Sequence, residues 1–213
     1  MSTTPPPTPI QIHIPLSLQK YAIPLDTFRS TRPKLYGAFG TGAFIFNNNK
    51  LLLVQRAATE AFANLWEVPG GGAEIGDPTI LHSCARETFE ETGLRLTKFV
   101  RQIGEGQEFE VRNGGVCLKL NFEIEVAEIH GLGVHDHGVH RDSKVKEGKH
   151  GVDVMLDPDE HQACAWVGED DIKGDSYSIV STDQKALMLK AFSLRKTESE
   201  RLKALVDGAC EET

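Results

Sequence analysis

Residues 66–94 read WEVPGGGAEIGDPTILHSCARETFEETGL, in which three consecutive glycines precede a segment with strong helix signals. Asp77 is a favoured N-cap residue, and Pro78 suits the first helical position because its missing N–H would have no partner there. Gly93 suits the left-handed conformation that commonly ends a helix. The segment therefore predicts a glycine loop followed by a helix that begins after Asp77 and ends at Gly93.

Three carboxylates share one face of this predicted helix. At about 100° per residue, Glu90 and Glu91 project within about 60° of Glu87. Like charges repel one another in water, whereas a divalent cation would turn the repulsion into attraction, and carboxylate oxygens suit Mg²⁺ or Mn²⁺. The face is therefore either a solvated acidic surface or a metal site. The opposite face is expected to pack on the core through Leu81, Ala85, Thr88, Phe89 and Thr92.

A wider set of residues around these carboxylates resembles the Nudix box, a loop–helix–loop with the pattern G-x5-E-x7-R-E-U-x-E-E-x-G-U. The matching residues are Gly71, Gly72, Arg86, Glu87, Glu90, Glu91, Gly93 and Leu94. One position departs from the pattern, because counting back from Arg86 places Pro78 where the box has its first glutamate. We interpret Asp77 as the acidic equivalent, displaced by a one-residue insertion, although helix capping alone would also explain it.

The resemblance implies both a fold and a reaction. The expected fold is α+β, the Nudix fold, with a mixed β-sheet sandwiched between α-helices. The expected reaction is hydrolysis of a phosphoanhydride (pyrophosphate) bond in a nucleoside diphosphate linked to another moiety, or in a nucleoside triphosphate. The implied cofactor, Mg²⁺ or Mn²⁺, would be held by Glu87, Glu90 and Glu91, and Arg86 would orient Glu87. The implied partner is a small-molecule nucleotide or diphosphate substrate.

Subfamily and functional class are separate questions. The segments LLLVQRA and LWEVPGG look closest to the MutT-like branch, without assigning a subfamily. The alternative class is a Nudix-type domain that binds or senses a nucleotide without turning it over. Loss of the box carboxylates would indicate that class, and in this sequence Glu87, Glu90 and Glu91 are all present.

Residues outside the helix extend the candidate site. Glycines at positions 70–72 let the backbone approach a ligand closely, so Gly70, Gly71 and Gly72 are candidates for substrate binding. Arg56 could reach a phosphate and Trp66 could stack on a base, although a solvent-exposed charge and a core aromatic are the simpler interpretations. Glu160 joins Arg86 and the box carboxylates as a catalytic candidate. Glu160 and His161 are candidates for a base or a substrate contact, or else belong to a charged turn before a strand.

Strand signals lie on both sides of the central helix. Strands are predicted at residues 36–46, 51–56, 65–68, 98–104 and 108–112. The strongest signal follows, where Leu118, Leu120, Phe122, Ile124 and Val126 alternate with polar residues and predict one buried face. Strands flanking a single helix fit a mixed sheet better than a parallel βαβ series. Ser181 and Gln184 have the spacing of a capping box and predict the start of a late helix, with a further short helix at 197–200.

The chain divides into three predicted parts. Residues 1–34 contain several prolines and predict an extended, partly disordered arm, residues 35–195 form the catalytic domain, and residues 196–213 form a C-terminal tail that could be helical. A polar insertion at 130–152 interrupts the domain and carries His135, His137 and His140. A metal site and a lid over the substrate are both hypotheses for it, and we favour the lid.

Composition excludes several classes of function. The net charge of −8 argues against a broad nucleic-acid or membrane surface, which would need basic patches. The four cysteines form no CxxC pair, and the sequence begins with neither a basic region nor a long apolar stretch. We therefore expect reduced thiols, no signal peptide, no membrane span and a cytoplasmic location. A homodimer is compatible with the sequence.

Overall fold

The computed structural model describes residues 11–111, 114–127 and 153–210. The insertion at 130–152, with its proposed lid and its three histidines, lies outside the described residues. The elements in chain order are a 3₁₀ helix at Leu16–Tyr21, α1 at Leu25–Ser30, β1 at Ala38–Asn47, β2 at Lys50–Arg56, β3 at Trp66–Glu67, α2 at Ile80–Thr92, β4 at Leu96–Glu110, β5 at Val116–Val126, β6 at His161–Val167, α3 at Glu169–Lys173 and α4 at Thr182–Cys210.

The strands form one mixed sheet in the order β3-β2-β1-β5-β4, with β6 also paired to β2. β1 runs parallel to β5, and the other neighbouring strands are antiparallel. β1 and β2 pair only beside their turn, at Phe46–Leu51 and Asn47–Lys50, so the two strands separate beyond these pairs. The sheet therefore has two arms that share a short hairpin.

The glycine loop fills the edge of β1 from which β2 has separated. Thr41 N donates to Gly71 O at 2.9 Å, Ala43 N donates to Pro69 O at 2.7 Å, and Ala73 N returns a bond to β1. These bonds satisfy backbone groups that would otherwise be unpaired. The separation of β1 and β2 thus creates the position in which the loop is held.

Two apolar clusters cover the two faces of the sheet. One contains residues from α2, from β5 and from the segment before β1, including Leu18, Phe28, Leu81 and Phe122. The other lies under α3 and α4 and includes Phe44, Leu53, Met188 and Phe192. Helices therefore enclose the sheet on both sides, which confirms the expected α+β class with a sandwiched mixed sheet.

The strand β5 is buried on both faces, so the prediction of one buried face is wrong. Asn121 and Glu123 are as inaccessible as their apolar neighbours, with exposed fractions of 0% and 1%. Glu123 accepts from Arg195 of α4 at 2.5 Å and pairs with Arg101 of β4 at 2.9 Å. Because α4 covers this face, the alternation marks polar contacts inside the protein rather than contact with water.

The terminal segments also differ from expectation. Leu16–Tyr21 and Leu25–Ser30 are helical and bury Leu18 and Phe28, so residues 16–30 pack on the core instead of forming an extended arm. At the other end, Ser181 Oγ accepts from Gln184 N at 3.1 Å, as the capping pattern predicts. The helix then continues without interruption to residue 210, whereas two helices were expected. The predicted domain boundaries stay predictions.

A smaller difference from expectation concerns β4. The two strands predicted at 98–104 and 108–112 are a single strand, β4, whose pairing is irregular between Ile103 and Gln107. Gly104 and Gly106 have φ of 74° and 113° there, a conformation that glycine adopts readily.

Within the described ranges, the structure contains no helix whose length and apolar character would let it cross a bilayer.

Candidate active site

The helix α2 begins two residues later than the sequence pattern predicts. Thr79 is the N-cap, and its hydroxyl accepts from His82 N at 3.3 Å. Asp77 does not cap the helix because its carboxylate is used elsewhere. It accepts from Glu74 N at 2.8 Å and pairs with Arg86. Gly93 ends the helix with φ of 69°, as expected.

Arg86 joins the glycine loop, the turn before α2 and the acidic face of α2. Its Nε and Nη2 donate to the two oxygens of Asp77, both at 3.0 Å, and Nη2 also donates to Gly72 O at 2.8 Å. Nη1 donates to Glu87 at 3.0 Å and to Glu90 at 2.8 Å. The bond to Asp77 is the main reason that the pKa of Arg86 is raised. Arg86 therefore stays charged and fixes two of the box carboxylates.

The carboxylate of Asp77 is the acidic partner of the Arg86 guanidinium in the turn before α2. Burial alone would raise the pKa of Asp77, but the guanidinium of Arg86 and the amide of Glu74 hold it below its ordinary value. The carboxylate is therefore ionised and paired inside the loop. This geometry agrees with the interpretation of Asp77 as the displaced acidic residue, and its functional role stays a prediction.

The three box carboxylates differ in exposure. Glu91 is buried, with an exposed fraction of 4%, and its Oε2 accepts from Gly70 N at 2.7 Å. Burial raises the pKa of Glu91 to about 7, against the opposing effects of His161 and the Gly70 amide. Burial also raises the pKa of Glu87, partly offset by Arg86. Glu90 is the most accessible of the three, with a half-exposed side chain. Two of the three carboxylates are therefore costly to ionise in the folded protein, and a bound cation would offset that cost.

A side chain at either of two loop glycines would meet neighbouring groups. A Cβ at Gly71 would lie 2.5 Å from Glu87 Oε2, and a Cβ at Gly70 would lie 2.2 Å from Thr41 O. Gly70 also has φ of 140°, a conformation that other residues rarely adopt. A Cβ at Gly72 would meet nothing within 4 Å. Position 70 therefore requires glycine because of its φ and the backbone of β1, whereas a side chain at position 71 would displace the carboxylate of Glu87.

The start of β6 brings two further polar side chains to this cluster. Donor atoms of Glu91, Glu160 and His161 all lie within 4.8 Å of one another. The pairing of β2 with β6 is irregular here, because Gln55 pairs with Ala163 whereas the next residue, Arg56, pairs with His161. Such a bulge redirects side chains at the end of a strand. His161 is buried, with an exposed fraction of 2%, whereas Glu160 is exposed.

Arg56 lies at the end of β2 and is bonded to protein groups. Its Nη1 donates to Glu67 Oε1 at 2.5 Å, and its Nη2 donates to Glu60 at 3.2 Å. Glu67 is a buried carboxylate that the sequence did not single out, since one acidic residue in a short strand gives no periodic signal. Burial would raise the pKa of Glu67, but His161, Lys119 and Arg56 hold it below its ordinary value.

Trp66 packs in the apolar cluster beneath α4. Its ring contacts Tyr177 edge-on, with ring centroids 5.0 Å apart. This position agrees with the simpler interpretation of a core aromatic. The substrate-binding roles assigned to Trp66, Arg56 and the loop glycines stay predictions, as do the catalytic roles of the box residues and Glu160.

The donor set fits a hard divalent cation. Glu87, Glu90 and Glu91 all lie on α2, and Glu90 and Glu160 are near enough to Glu87 to raise its pKa. Among the described residues, however, the donor group within 4.8 Å contains Glu91, Glu160 and His161, and not Glu87 or Glu90. Carboxylate oxygen is the donor that Mg²⁺ and Mn²⁺ prefer. The burial of Glu91 and the absence of a side chain at Gly71 are both explained if the carboxylates converge on such an ion. The residues present therefore fit the implied cofactor.

Comparison with protein families gives a match to the NUDIX domain over residues 38–190. Among curated proteins, the m7GpppN-mRNA hydrolase NUDT17 of Danio rerio is 47% identical over 51 residues, which is 24% of this chain and 17% of that protein. The NUDT17 protein of Xenopus laevis is 46% identical over 50 residues, again 17% of its length. The matched region thus spans about a sixth of these curated relatives.

Solved structures resemble this fold over most of the described chain. The MutT protein from Methanosarcina mazei Go1 has a TM-score of 0.53 and 21% identity, covering 75% of this chain and 94% of that one. A C. elegans Ap4A hydrolase has a TM-score of 0.53 and 18% identity, covering 75% of this chain and 98% of that one. At these identities the likeness shows a shared fold.

Proposed function

From the premise that this chain belongs to the NUDIX domain family, we propose that it is a metal-dependent pyrophosphohydrolase acting on a nucleoside diphosphate linked to another moiety. The class, a hydrolase acting on acid anhydrides, agrees with the resemblance found in the sequence. The bond that is cleaved, the substrate and the metal cofactor go beyond what the family match shows, and they are proposals.

The observation that carries the proposal is the way in which the box carboxylates are anchored beside the glycine loop. Glu91 is held by the amide of Gly70, and Arg86 holds Glu87 and Glu90. A solvated acidic surface would not require a buried glutamate or a glycine that leaves space for a carboxylate. Buried carboxylates with raised pKa values are typical of functional sites, where stability is given up for binding or catalysis.

Each residue has a distinct part in the proposed reaction. Mg²⁺ or Mn²⁺, when bound by Glu87, Glu90 and Glu91, neutralises phosphate charge and lowers the pKa of water. Arg86 keeps two of these side chains in place through hydrogen bonds. In the proposed reaction Glu160, an exposed side chain near Glu91, accepts a proton from the attacking water. Substrate positioning falls to the loop backbone at residues 70–72.

The names of two similar proteins suggest which substrates to test first. NUDT17 is named for hydrolysis of m7GpppN-mRNA, and one protein of similar fold is named for hydrolysis of Ap4A. Both names describe nucleotides joined through a polyphosphate. We therefore propose a dinucleoside polyphosphate or a cap-like dinucleotide as the first substrate to test, followed by nucleoside triphosphates. A cytoplasmic location and a homodimer stay predictions.

The experiment is a substrate panel with the full chain and Mg²⁺, with the products separated by anion-exchange chromatography. We expect a nucleoside mono- or diphosphate to be released from at least one of m7GpppG, diadenosine tetraphosphate and a nucleoside triphosphate. Excess EDTA should abolish the release, because it removes the divalent ion that the carboxylates are proposed to bind. Turnover that persists in EDTA would contradict metal dependence, and tight nucleotide binding without product would favour the sensing alternative.

A further inference from the structure

His161 is a buried polar side chain without a hydrogen-bond partner among the described residues. Its exposed fraction is 2%, and neither ring nitrogen makes a hydrogen bond. The nearest anionic contact is Glu67 Oε1, 3.8 Å from Nε2, which is too long for a hydrogen bond. Glu67 is in any case paired with Arg56 at 2.5 Å. Buried imidazole nitrogens are normally bonded, so the ring of His161 has unused capacity to bind a ligand.

The side chains nearest to His161 are carboxylates. Donor atoms of Glu91 and Glu160 lie within 4.8 Å of a ring nitrogen and of each other. Two donors about 2.1 Å from one ion at a tetrahedral angle are about 3.4 Å apart, so closing the trio needs movements of up to about 1.4 Å. Glu160 is exposed and free of tight packing, and its side chain can make most of that movement.

We propose that Glu91, Glu160 and His161 form a metal site with one nitrogen ligand, which takes a first-row transition metal in preference to Mg²⁺. Imidazole nitrogen suits Co²⁺ and Zn²⁺ better than it suits Mg²⁺, which demands oxygen donors and retains its water, while Mn²⁺ prefers oxygen but also accepts imidazole. Three protein ligands leave positions open for water or substrate, as in catalytic sites. The inference rests on the proposed function through Glu91 and Glu160. Glu91 would serve both the box and this trio, and Glu160 would bind the ion through one carboxylate oxygen and keep the other for the proton of the attacking water.

The test measures Co²⁺ and Mg²⁺ binding to the metal-free full chain by titration calorimetry. In His161→Gln the Co²⁺ affinity should fall by at least about tenfold, because a ligand is lost, while the Mg²⁺ affinity changes by less than about twofold. His13→Gln is the matched control, since the His13 side chain is exposed and distant in sequence from the site, and both affinities should stay at the parental values. Equal changes for the two ions, or no change in Co²⁺ affinity, would overturn the nitrogen ligand.

A second measurement does not depend on the variant folding. Electron spin-echo modulation of Mn²⁺ bound to the wild-type chain should show coupling to an imidazole nitrogen, and absence of that coupling would overturn the proposal. A wild-type protein that hydrolyses nucleotides with Mg²⁺ but lacks the nitrogen signal would refute this inference alone. A protein that shows neither metal binding nor hydrolysis would refute the proposed function as well.

Discussion

Gly71 sits where a side chain would collide with a box carboxylate, since its Cβ would lie 2.5 Å from Glu87 Oε2. In Gly71→Ala the carboxylate must move away from the loop. We expect the Mg²⁺ concentration for half-maximal hydrolysis to rise by about tenfold or more, as for other changes that displace metal ligands. The measurement is a Mg²⁺ titration of the hydrolysis rate.

Gly72→Ala is the matched control, because the adjacent position has open space and no atom within 4 Å of a Cβ. The carbonyl of Gly72 that accepts from Arg86 remains in this variant. Its Mg²⁺ requirement should match that of the parent. Equal behaviour of the two variants would mean that the loop does not shape the carboxylate site.

From the buried carboxylate of Glu91 we predict that the free energy of unfolding of the metal-free protein falls as the pH rises. Its folded pKa of about 7 lies above the ordinary value of 4.5, mainly because the side chain is buried. Between these values the folded state holds a proton that the unfolded chain releases, so stability from this group is lost as pH rises from about 5 to about 8. His161 acts in the same direction, because neighbouring carboxylates raise its pKa despite burial and its stabilising charge is also lost at higher pH.

Glu91→Gln isolates this contribution. The free energy of unfolding of the variant, relative to the parent, should increase by on the order of 3 kcal/mol between pH 5 and pH 8 in EDTA, because glutamine does not titrate. Urea unfolding at a series of pH values measures the difference. A difference that is constant with pH, or that falls as pH rises, would show that Glu91 is not held protonated in the folded state.

The element that organises the site is the loop–helix unit from β3 to the end of α2, and the Asp77–Arg86 pair closes it. Asp77 is 8% exposed and receives two bonds from Arg86 and one from Glu74 N. Asp77→Ala should lower the free energy of unfolding by about 2–4 kcal/mol, because a largely buried pair is broken and Arg86 loses its best partner. Urea unfolding checks this value.

The control is an ion pair on the exposed edge of the sheet. Lys98 donates to Glu125 at 2.9 Å with both side chains 40% exposed or more. Glu125→Ala should therefore change stability by about 0–1 kcal/mol. If Asp77→Ala costs as little as this control, the pair does not stabilise the loop.

Local signals predicted part of this unit and missed what depends on tertiary contacts. Gly93 ends α2 as expected, because its left-handed conformation is a local property. The predicted start of α2 was wrong because Asp77 bonds to the side chain of Arg86, nine positions later, instead of capping the helix. Phe89 was expected in the core but is 39% exposed and lies 4.7 Å from the Arg95 guanidinium. Periodicity gives the faces of a helix, and only the neighbours decide which face is covered.

At the scale of the molecule, the segment before the family match is part of the core. Phe28 is fully buried and packs on Phe39 of β1, with ring centroids 5.1 Å apart, whereas the NUDIX match begins at residue 38. Phe28→Ala should lower the free energy of unfolding by about 3–5 kcal/mol through the cavity it leaves. Leu35→Ala, at a side chain 90% exposed, should stay within about 0.5 kcal/mol of the parent. If the two variants had similar free energies of unfolding, the segment before residue 38 would not contribute to the stability of the core.

The class of fold could be predicted from the sequence, whereas the assembly of the site could not. The box residues and alternating strands predicted a mixed sheet with a central helix. The meeting of Glu91 with Glu160 and His161 depends on how β6 pairs with β2, and no local pattern specifies that pairing. Burial of Glu123 depends in the same way on α4, which brings Arg195 over the sheet.

The most direct test of the account compares Mg²⁺-dependent hydrolysis of the best substrate by the parent, Glu90→Gln and Glu125→Gln. Glu90 is half-exposed and its partner Arg86 keeps Asp77 and Glu87, so metal-free stability should change by only about 0–1 kcal/mol. Hydrolysis by Glu90→Gln should fall by about 100-fold or more through loss of a metal ligand, while Glu125→Gln retains the parental rate. A Glu90→Gln protein that hydrolyses at the parental rate would contradict the catalytic role of the acidic face.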